Sequence, residues 1–254
     1  MAKPPPRLFT GEALTGAPVP LTKDQAHYLG TVLRLGPGAD LLLFNGRDGE
    51  WSARVGDLTR KGGHAELAGR TREQAAGPEL TLLFAPLKKG PTDLVIRTGT
   101  ELGVRRFVPV LTERTQAERV KTERLGLIAT EAAEQCERLD VPKVSDPVRL
   151  GDALAEAGRV MFCDEAGDDP DQRWGGGAGR GRPALAALRD AEPGPWSVLI
   201  GPEGGFAPAE RDALRACPGT LAVGLGPRIL KAETAAIAAL TLWQASLGDL
   251  SGSD

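Results

Sequence analysis

Two short stretches carry the residues best suited to chemistry. In the first, Ser197-Val198-Leu199-Ile200 runs directly into Gly201-Pro202-Glu203-Gly204-Gly205-Phe206. A run of β-formers ends in glycines and one carboxylate, just before a helix for which Pro208 is a suitable first residue. Glycine accepts positive φ and lets other groups approach the backbone. Gly201, Gly204 and Gly205 therefore read as a ligand-binding turn or as a tight strand–helix turn. In the second stretch, residues 221–236 read LAVGLGPRILKAETAA: again a strand, a glycine loop and a helix. This loop is largely apolar (Leu225, Ile229, Leu230) and carries Arg228 and Lys231. Open α/β sheets bind ligands at the carboxyl ends of strands. Two neighbouring glycine loops there make a pocket with apolar walls and many main-chain groups. Such a pocket suits a neutral aromatic ring held by main-chain hydrogen bonds better than a polyphosphate.

The elements that must position these loops follow an α/β rhythm from Leu80 onward. TLLFAPL and RRFVPVLT read as strands, PTDLVIRTGTELGV as the helix between them, and a longer helix covers roughly residues 118–138. Alternation of this kind predicts an α/β domain with a mostly parallel sheet covered on both faces. The first seventy or so residues read differently. Thr22 and Gln25 fit a capping box ahead of a helical spacing at Ala26, Leu29, Val32 and Leu33. LLLF, the turn NGRDGE and WSARV form a hairpin. Short strands with one helix suggest a small β-barrel. The pattern changes near residues 73–78, which sets a domain at 1–74 and a second at 77–254.

A further glycine-rich run, residues 175–181, formally contains GxGxG but follows DDPDQRW and leaves no apolar strand, so it reads as a surface linker. No GxxxxGK[ST] is present, which disfavours a P-loop NTPase. The chain has 254 residues and a formal net charge of −3. No apolar run reaches the roughly 18 residues that span a bilayer, and the start lacks an apolar signal region. The expectation is a cytoplasmic protein with no membrane partner. Three scattered cysteines and two histidines support neither a zinc site nor a disulfide framework, so no metal is expected. Residues 86–124 hold nine Lys/Arg against five Asp/Glu, a candidate patch for an anionic partner or merely a solvated face.

Taken together, GPEGGF, LGPRILKAETA, TELGVRRFVPVLTERT and EAAEQCERLDVP resemble the bacterial 16S ribosomal RNA (uracil-N3)-methyltransferases of the SPOUT superfamily. PRLF, HYLGTVLRL and GPGADLLLFNGRDGEW are similar to that family's PUA-like RNA-binding domain, so the resemblance covers almost the whole chain. It implies a C-terminal α/β domain tied in a trefoil knot, S-adenosylmethionine as methyl donor, a homodimer, and a uridine of 16S ribosomal RNA in the 30S subunit as acceptor. By motif, Leu199, Ile200, Gly201 and Gly205 would surround the donor, as would Leu225, Gly226, Pro227, Ile229, Leu230 and Thr234. Cys163 to Glu165 would begin a third donor-side loop. Arg7, Arg34, Lys88, Arg97, Arg114, Arg138 and Lys231 would meet RNA. Lys231 stands where the family commonly has Arg, which keeps the charge but loses a bidentate fork.

The implied reaction needs N3 of uracil to lose its proton. Glu203 is the nearest motif carboxylate and is either the proton acceptor or a cap for backbone N–H groups. Arg228 is a candidate donor to the uracil carbonyls as negative charge develops. Other SPOUT enzymes acting on transfer RNA or ribose 2′-oxygens, and a non-catalytic RNA-binding knot protein, share the same loops.

Overall fold

The computed structural model describes residues 4–116, 119–164 and 181–252. The chain groups into two units: residues 1–76 with 130–141, and residues 77–129 with 142–254.

In the first unit, β1 (Arg7–Phe9), β2 (Val19–Leu21), β3 (Asp40–Phe44), β4 (Glu50–Thr59) and β5 (Gly62–Arg72) form one sheet in the order β1-β3-β4-β5-β2. The β1–β3 pair is parallel and the others are antiparallel. Inward residues of both edge strands and of the middle ones, Leu8, Leu21, Leu43, Val55 and Ala65, meet in one apolar cluster. The sheet therefore wraps a single core. α1 (Lys23–His27) starts at the expected capping box, Thr22 Oγ1 accepting from Gln25 N–H at 3.2 Å and Gln25 Oε1 from Thr22 N–H at 2.9 Å. The helical spacing does not continue as an α-helix. Residues Tyr28–Val32 form a π-helical turn, closed by Leu33 N–H to Tyr28 C=O at 2.9 Å. The extra residue in the turn rotates Val32 outward, to 59% exposure, while Leu29 stays buried.

In the second unit, β6 (Leu80–Phe84), β7 (Arg106–Leu111), β8 (Lys143–Val144), β10 (Val160–Cys163), β11 (Arg182–Pro183), β12 (Trp196–Ile200) and β13 (Thr220–Gly224) form a sheet in the order β11-β13-β10-β12-β6-β7-β8. A short β9 (Val148–Arg149) pairs with β7. Every pairing is parallel. The helices are α2 (Lys89–Glu101), α3 (Thr122–Gln135), α4 (Leu150–Ala157), α5 (Ala184–Leu188), α6 (Pro208–Ala216) and α7 (Ala232–Leu247). All residues of β10 and β12 are buried, as a sheet covered on both faces requires. β10 lies between β12 and β13, in register Phe162 to Leu199 and Cys163 to Val223. The carboxyl ends of these three strands are thus level, and the two glycine loops emerge at the same edge.

Residues 130–141, read from sequence as part of the second domain, group instead with the first unit, and Arg7 supplies the reason. Its Nε donates to Glu50 Oε2 at 2.7 Å, its Nη1 to the carbonyls of Ala133 and Glu134 at 3.2 and 3.1 Å, and its Nη2 to that of Arg138 at 2.8 Å. These are carbonyls at and just past the end of α3, which have no helical partner of their own. The guanidinium also stacks 4.6 Å from the Phe44 ring centroid. With 7% of its side chain exposed, Arg7 is held inside the unit. Arg138 is likewise held, 13% exposed and paired with Asp140 at 3.0 Å. Both candidates for RNA contact thus make their described interactions within the unit.

Glu134 Oε1 accepts from Phe9 N–H at 2.9 Å in the same cluster. Burial pushes its carboxyl up from 4.5 to about 7, with Glu131 adding to the rise and the Phe9 N–H and Arg7 opposing it. Between those two values the folded state keeps a proton that the unfolded chain has released, so stability from this group falls as pH rises. Glu134→Gln mimics the protonated form. Its melting temperature is expected to match the parent near pH 4.5 and exceed it at pH 8; parallel pH profiles would refute this reading.

Candidate active site

A cavity of about 390 Å3 opens at the level ends of β10, β12 and β13. Ile200, Gly201, Pro202 and Glu203 form one side, and residues 223–226 with Arg228, Ile229, Leu230 and Lys231 form the other. Cys163 and Asp164 close the floor, and Pro91, Ala232, Glu233 and Ala235 from the helix starts complete it. The structure therefore brings together Ile200, Gly201, Glu203, Leu225, Gly226, Arg228, Ile229, Leu230 and Lys231 of the residues expected there. Leu199, Gly205, Pro227 and Thr234 do not line the cavity. Leu199 is fully buried behind it.

The glycines act differently from one another. Gly205 and Gly226 have positive φ, +68° and +105°, whereas Gly201 and Gly204 do not. Gly201 is required by space: a Cβ there would lie 2.6 Å from the ring of Phe206. That ring is itself buried and stands edge-on to Phe162 at 5.3 Å, so it has no room to yield. Gly201→Ala is expected to cost about 1–3 kcal/mol of stability through overpacking, measured by urea unfolding. A loss under a few tenths would show that the ring relaxes freely.

Two side-chain devices fix the loops. Asp164, with 1% of its side chain exposed, pairs with Arg211 at 3.1 Å and Arg215 at 2.6 Å, both from α6. Glu210 divides its carboxylate: Oε2 accepts from Ala207 N–H at 2.9 Å, at the start of α6, and Oε1 from Glu113 N–H at 2.8 Å, in the loop after β7. Sequence reasoning misses both devices. The spacing of Arg211 and Arg215 on one helix face is the signal that could have found the first. Glu165 and residues 175–180 lie outside the described residues.

The charges facing the cavity balance. Apart from the paired Asp164, Arg228 and Lys231 oppose Glu203 and Glu233, and none of these four forms an ion pair among the described residues. With apolar walls, this set fits a flat ring attached to a group bearing both signs, and does not fit a polyphosphate. A second cavity of about 420 Å3 lies at the opposite, amino ends of the strands. There Arg105 pairs with Glu79 and Arg106 with Glu156, and Lys143 lines it as well. A third, smaller cavity of about 110 Å3 adjoins the first and shares Pro202 and Glu203 with it; Lys88 and Arg114 line it. Arg97 is exposed on α2 and lines no described cavity. Arg34, in the first unit, is exposed and takes φ +57°, an unusual conformation for a side chain-bearing residue. Among the described residues no cluster of metal-ligating side chains occurs, and no helix is long and apolar enough to cross a membrane.

A parallel-sheet domain with this site, following a small mixed sheet, defines an RNA methyltransferase architecture. The pattern described as an RNA methyltransferase domain matches residues 74–244, and that of an RNA methyltransferase PUA domain matches residues 21–68. The chain belongs to the ribosomal RNA small subunit methyltransferase E family. It is 33% identical to the protein of that name from Rickettsia conorii, over 84% of each chain. With the Synechocystis protein it shares 35% identity over 90% of this chain and 73% of that one. Among solved structures, a Legionella pneumophila methyltransferase with bound S-adenosylmethionine superposes with a TM-score of 0.84, at 29% identity, over 97% of this chain and all of that one. The small subunit methyltransferase E of Neisseria gonorrhoeae, also bound to S-adenosylmethionine, gives a TM-score of 0.79 at 27% identity, over 96% and 99% of the two chains.

Proposed function

We propose that this protein methylates N3 of a uridine in 16S ribosomal RNA, using S-adenosylmethionine. The observation that carries this reading is the charge-balanced, apolar-walled cavity between the two glycine loops. Its walls suit an adenine ring, and its mixed charges suit a ligand that bears a sulfonium, an ammonium and a carboxylate. Ile200, Gly201, Leu225, Ile229 and Leu230 would hold this donor, with Gly226 bending the second loop around it. Leu199, Gly205, Pro227 and Thr234 would support the loops from outside the wall. The relatives solved with S-adenosylmethionine and the small-subunit names of the curated relatives support the choice of donor and RNA.

When bound, S-adenosylmethionine supplies an electrophilic methyl carbon on a sulfonium. The chain's own task is to place the acceptor nitrogen in line with it and to manage one proton. Glu203 would take the N3 proton. Its carboxylate accepts no hydrogen bond from the described residues, which favours this role over capping. Arg228, the candidate donor to the uracil carbonyls, lines this cavity with Lys231, and both would also balance charge on the donor. Because N3 lies on the pairing edge, the uridine must be unpaired or flipped out. The knotted threading, a homodimer and a cytoplasmic location, where ribosomal subunits are made, belong to the same proposal.

Purified 30S subunits and naked 16S RNA, each incubated with the protein and S-adenosylmethionine and then digested to nucleosides, test it. The expected product is N3-methyluridine, formed on the assembled particle. Ribose methylation, or no methyl incorporation together with no S-adenosylmethionine binding by calorimetry, would overturn it.

A further inference from the structure

The small cavity beside the first one has a wall in common with it and a different chemical character. Pro86, Leu87 and Pro202 contribute apolar lining, and Lys88, Arg114, Gln116 and Glu203 contribute polar and charged lining. Its volume is about 110 Å3.

Lys88 is placed at some cost to the fold. Lys88 occupies the N-cap of α2, where Ser, Thr, Asp or Asn is preferred, and it makes no capping hydrogen bond. Lys89 follows it, so two positive charges sit at the positive end of the helix dipole. Among the described residues neither Lys88 nor Arg114 has an ion-pair partner. The turn presenting Lys88 is nevertheless rigid: Thr92 Oγ1 accepts from Leu87 N–H at 3.1 Å and donates to Leu87 C=O at 3.0 Å. The opposite loop is equally fixed. Arg114 Nη1 donates to Gly204 C=O at 3.0 Å, Thr112 N–H donates to Thr115 Oγ1 at 2.9 Å, and Glu210 holds Glu113. Local sequence choices that oppose helix stability, on a rigid frame, mark a site kept for a ligand.

We propose that this cavity receives the uracil ring of the acceptor nucleotide, with Lys88 and Arg114 donating to its carbonyl oxygens and Glu210 positioning the loops that hold it. The inference rests on the methyltransferase reading above. It supplies what that reading lacked, a place for the acceptor next to both Glu203 and the donor. The N3–H bond breaks with its proton passing to the Glu203 carboxylate. The N3 electron pair forms the bond to the methyl carbon, and the sulfonium leaves as a neutral thioether. Negative charge that develops on the ring spreads to the flanking carbonyl oxygens, where Lys88 and Arg114 stabilise it. Gln116, able to donate and accept, completes recognition of the ring edge.

Two measurements test this. In the first, 4-thiouridine 5′-monophosphate is photocrosslinked to the protein and the peptides are mapped; adducts are expected within residues 86–88 or 114–116. Adducts confined to residues 223–231 or to the first unit would overturn the proposal, whether or not the protein methylates RNA. In the second, Lys88→Gln is compared with the parent on 30S subunits. Lys88 is exposed and caps nothing, so the variant folds. Its kcat is expected to fall about tenfold or more, and the rise of kcat with pH to move upward by about one unit, because the ring anion is less stabilised. S-adenosylmethionine affinity should stay within about twofold. An unchanged kcat and pH profile would overturn the role of Lys88. A parent that neither binds S-adenosylmethionine nor methylates 30S subunits would overturn the methyltransferase reading instead, and the crosslinking result would still decide the cavity.

Discussion

Glu203→Gln is expected to lower kcat for 30S methylation by about two to four orders of magnitude, the usual weight of a positioned general base. The melting temperature should change little. The separation of these effects is the point of the experiment. Glu203 lines both the donor cavity and its smaller neighbour, so it stands where a proton leaving the acceptor would go. Its side chain is exposed, and the turn is closed without it, by Gly205 N–H to Pro202 C=O at 2.9 Å. A capping carboxylate would show the reverse pattern, a lower melting temperature with kcat preserved. That result would remove Glu203 from the chemistry.

Asp164→Ala is expected to destabilise the second unit strongly, by about 3–5 kcal/mol. The carboxylate receives Arg211 through Nε and Nη2 at 3.1 and 3.2 Å, and Arg215 through Nε and Nη2 at 3.0 and 2.6 Å. Almost none of it reaches solvent. Deleting it takes this carboxylate from two guanidinium groups that are themselves only 14% and 28% exposed. Replacing all three by apolar residues of similar volume, Asp164→Leu with Arg211→Met and Arg215→Met, should recover much of the loss, since the cost lies in part-buried charges that have lost this carboxylate. Urea unfolding of the two variants measures both. A loss below about 1 kcal/mol for Asp164→Ala would mean that water reaches the arginines easily. S-adenosylmethionine affinity should also fall in Asp164→Ala, because Asp164 forms the floor of the donor cavity.

The parts of the site written in consecutive residues are legible in the amino-acid sequence. Glycine loops after apolar strands announce the ends of β12 and β13, and the Thr22–Gln25 capping box announces α1. Contacts between distant residues are not legible. Arg7 reaches carbonyls 126 to 131 positions away, and its motif suggests RNA while its surroundings make it a clasp. The grouping of residues 130–141 with the first unit follows from that clasp, and no composition shift marks it. Asp164 and its arginines are separated by 47 and 51 residues. Periodicity fails within residues 28–32 because a π turn adds one residue without changing the letters. Lys88 is legible as a charge, but its misfit to the helix start emerges only from the cap geometry.

The pairing of Leu80 with Trp196 has a consequence for how the protein is born. The two strands at the heart of the sheet are neighbours in space but more than a hundred residues apart along the chain, and β13 must then pass beyond β10. Closing so long a loop precedes any reward from the contacts it makes, which slows folding. During synthesis, β6 emerges early and waits with a bare edge until β12 has left the ribosome. The donor cavity is consequently among the last features to exist, and a nascent chain cannot engage its methyl donor before it is nearly complete.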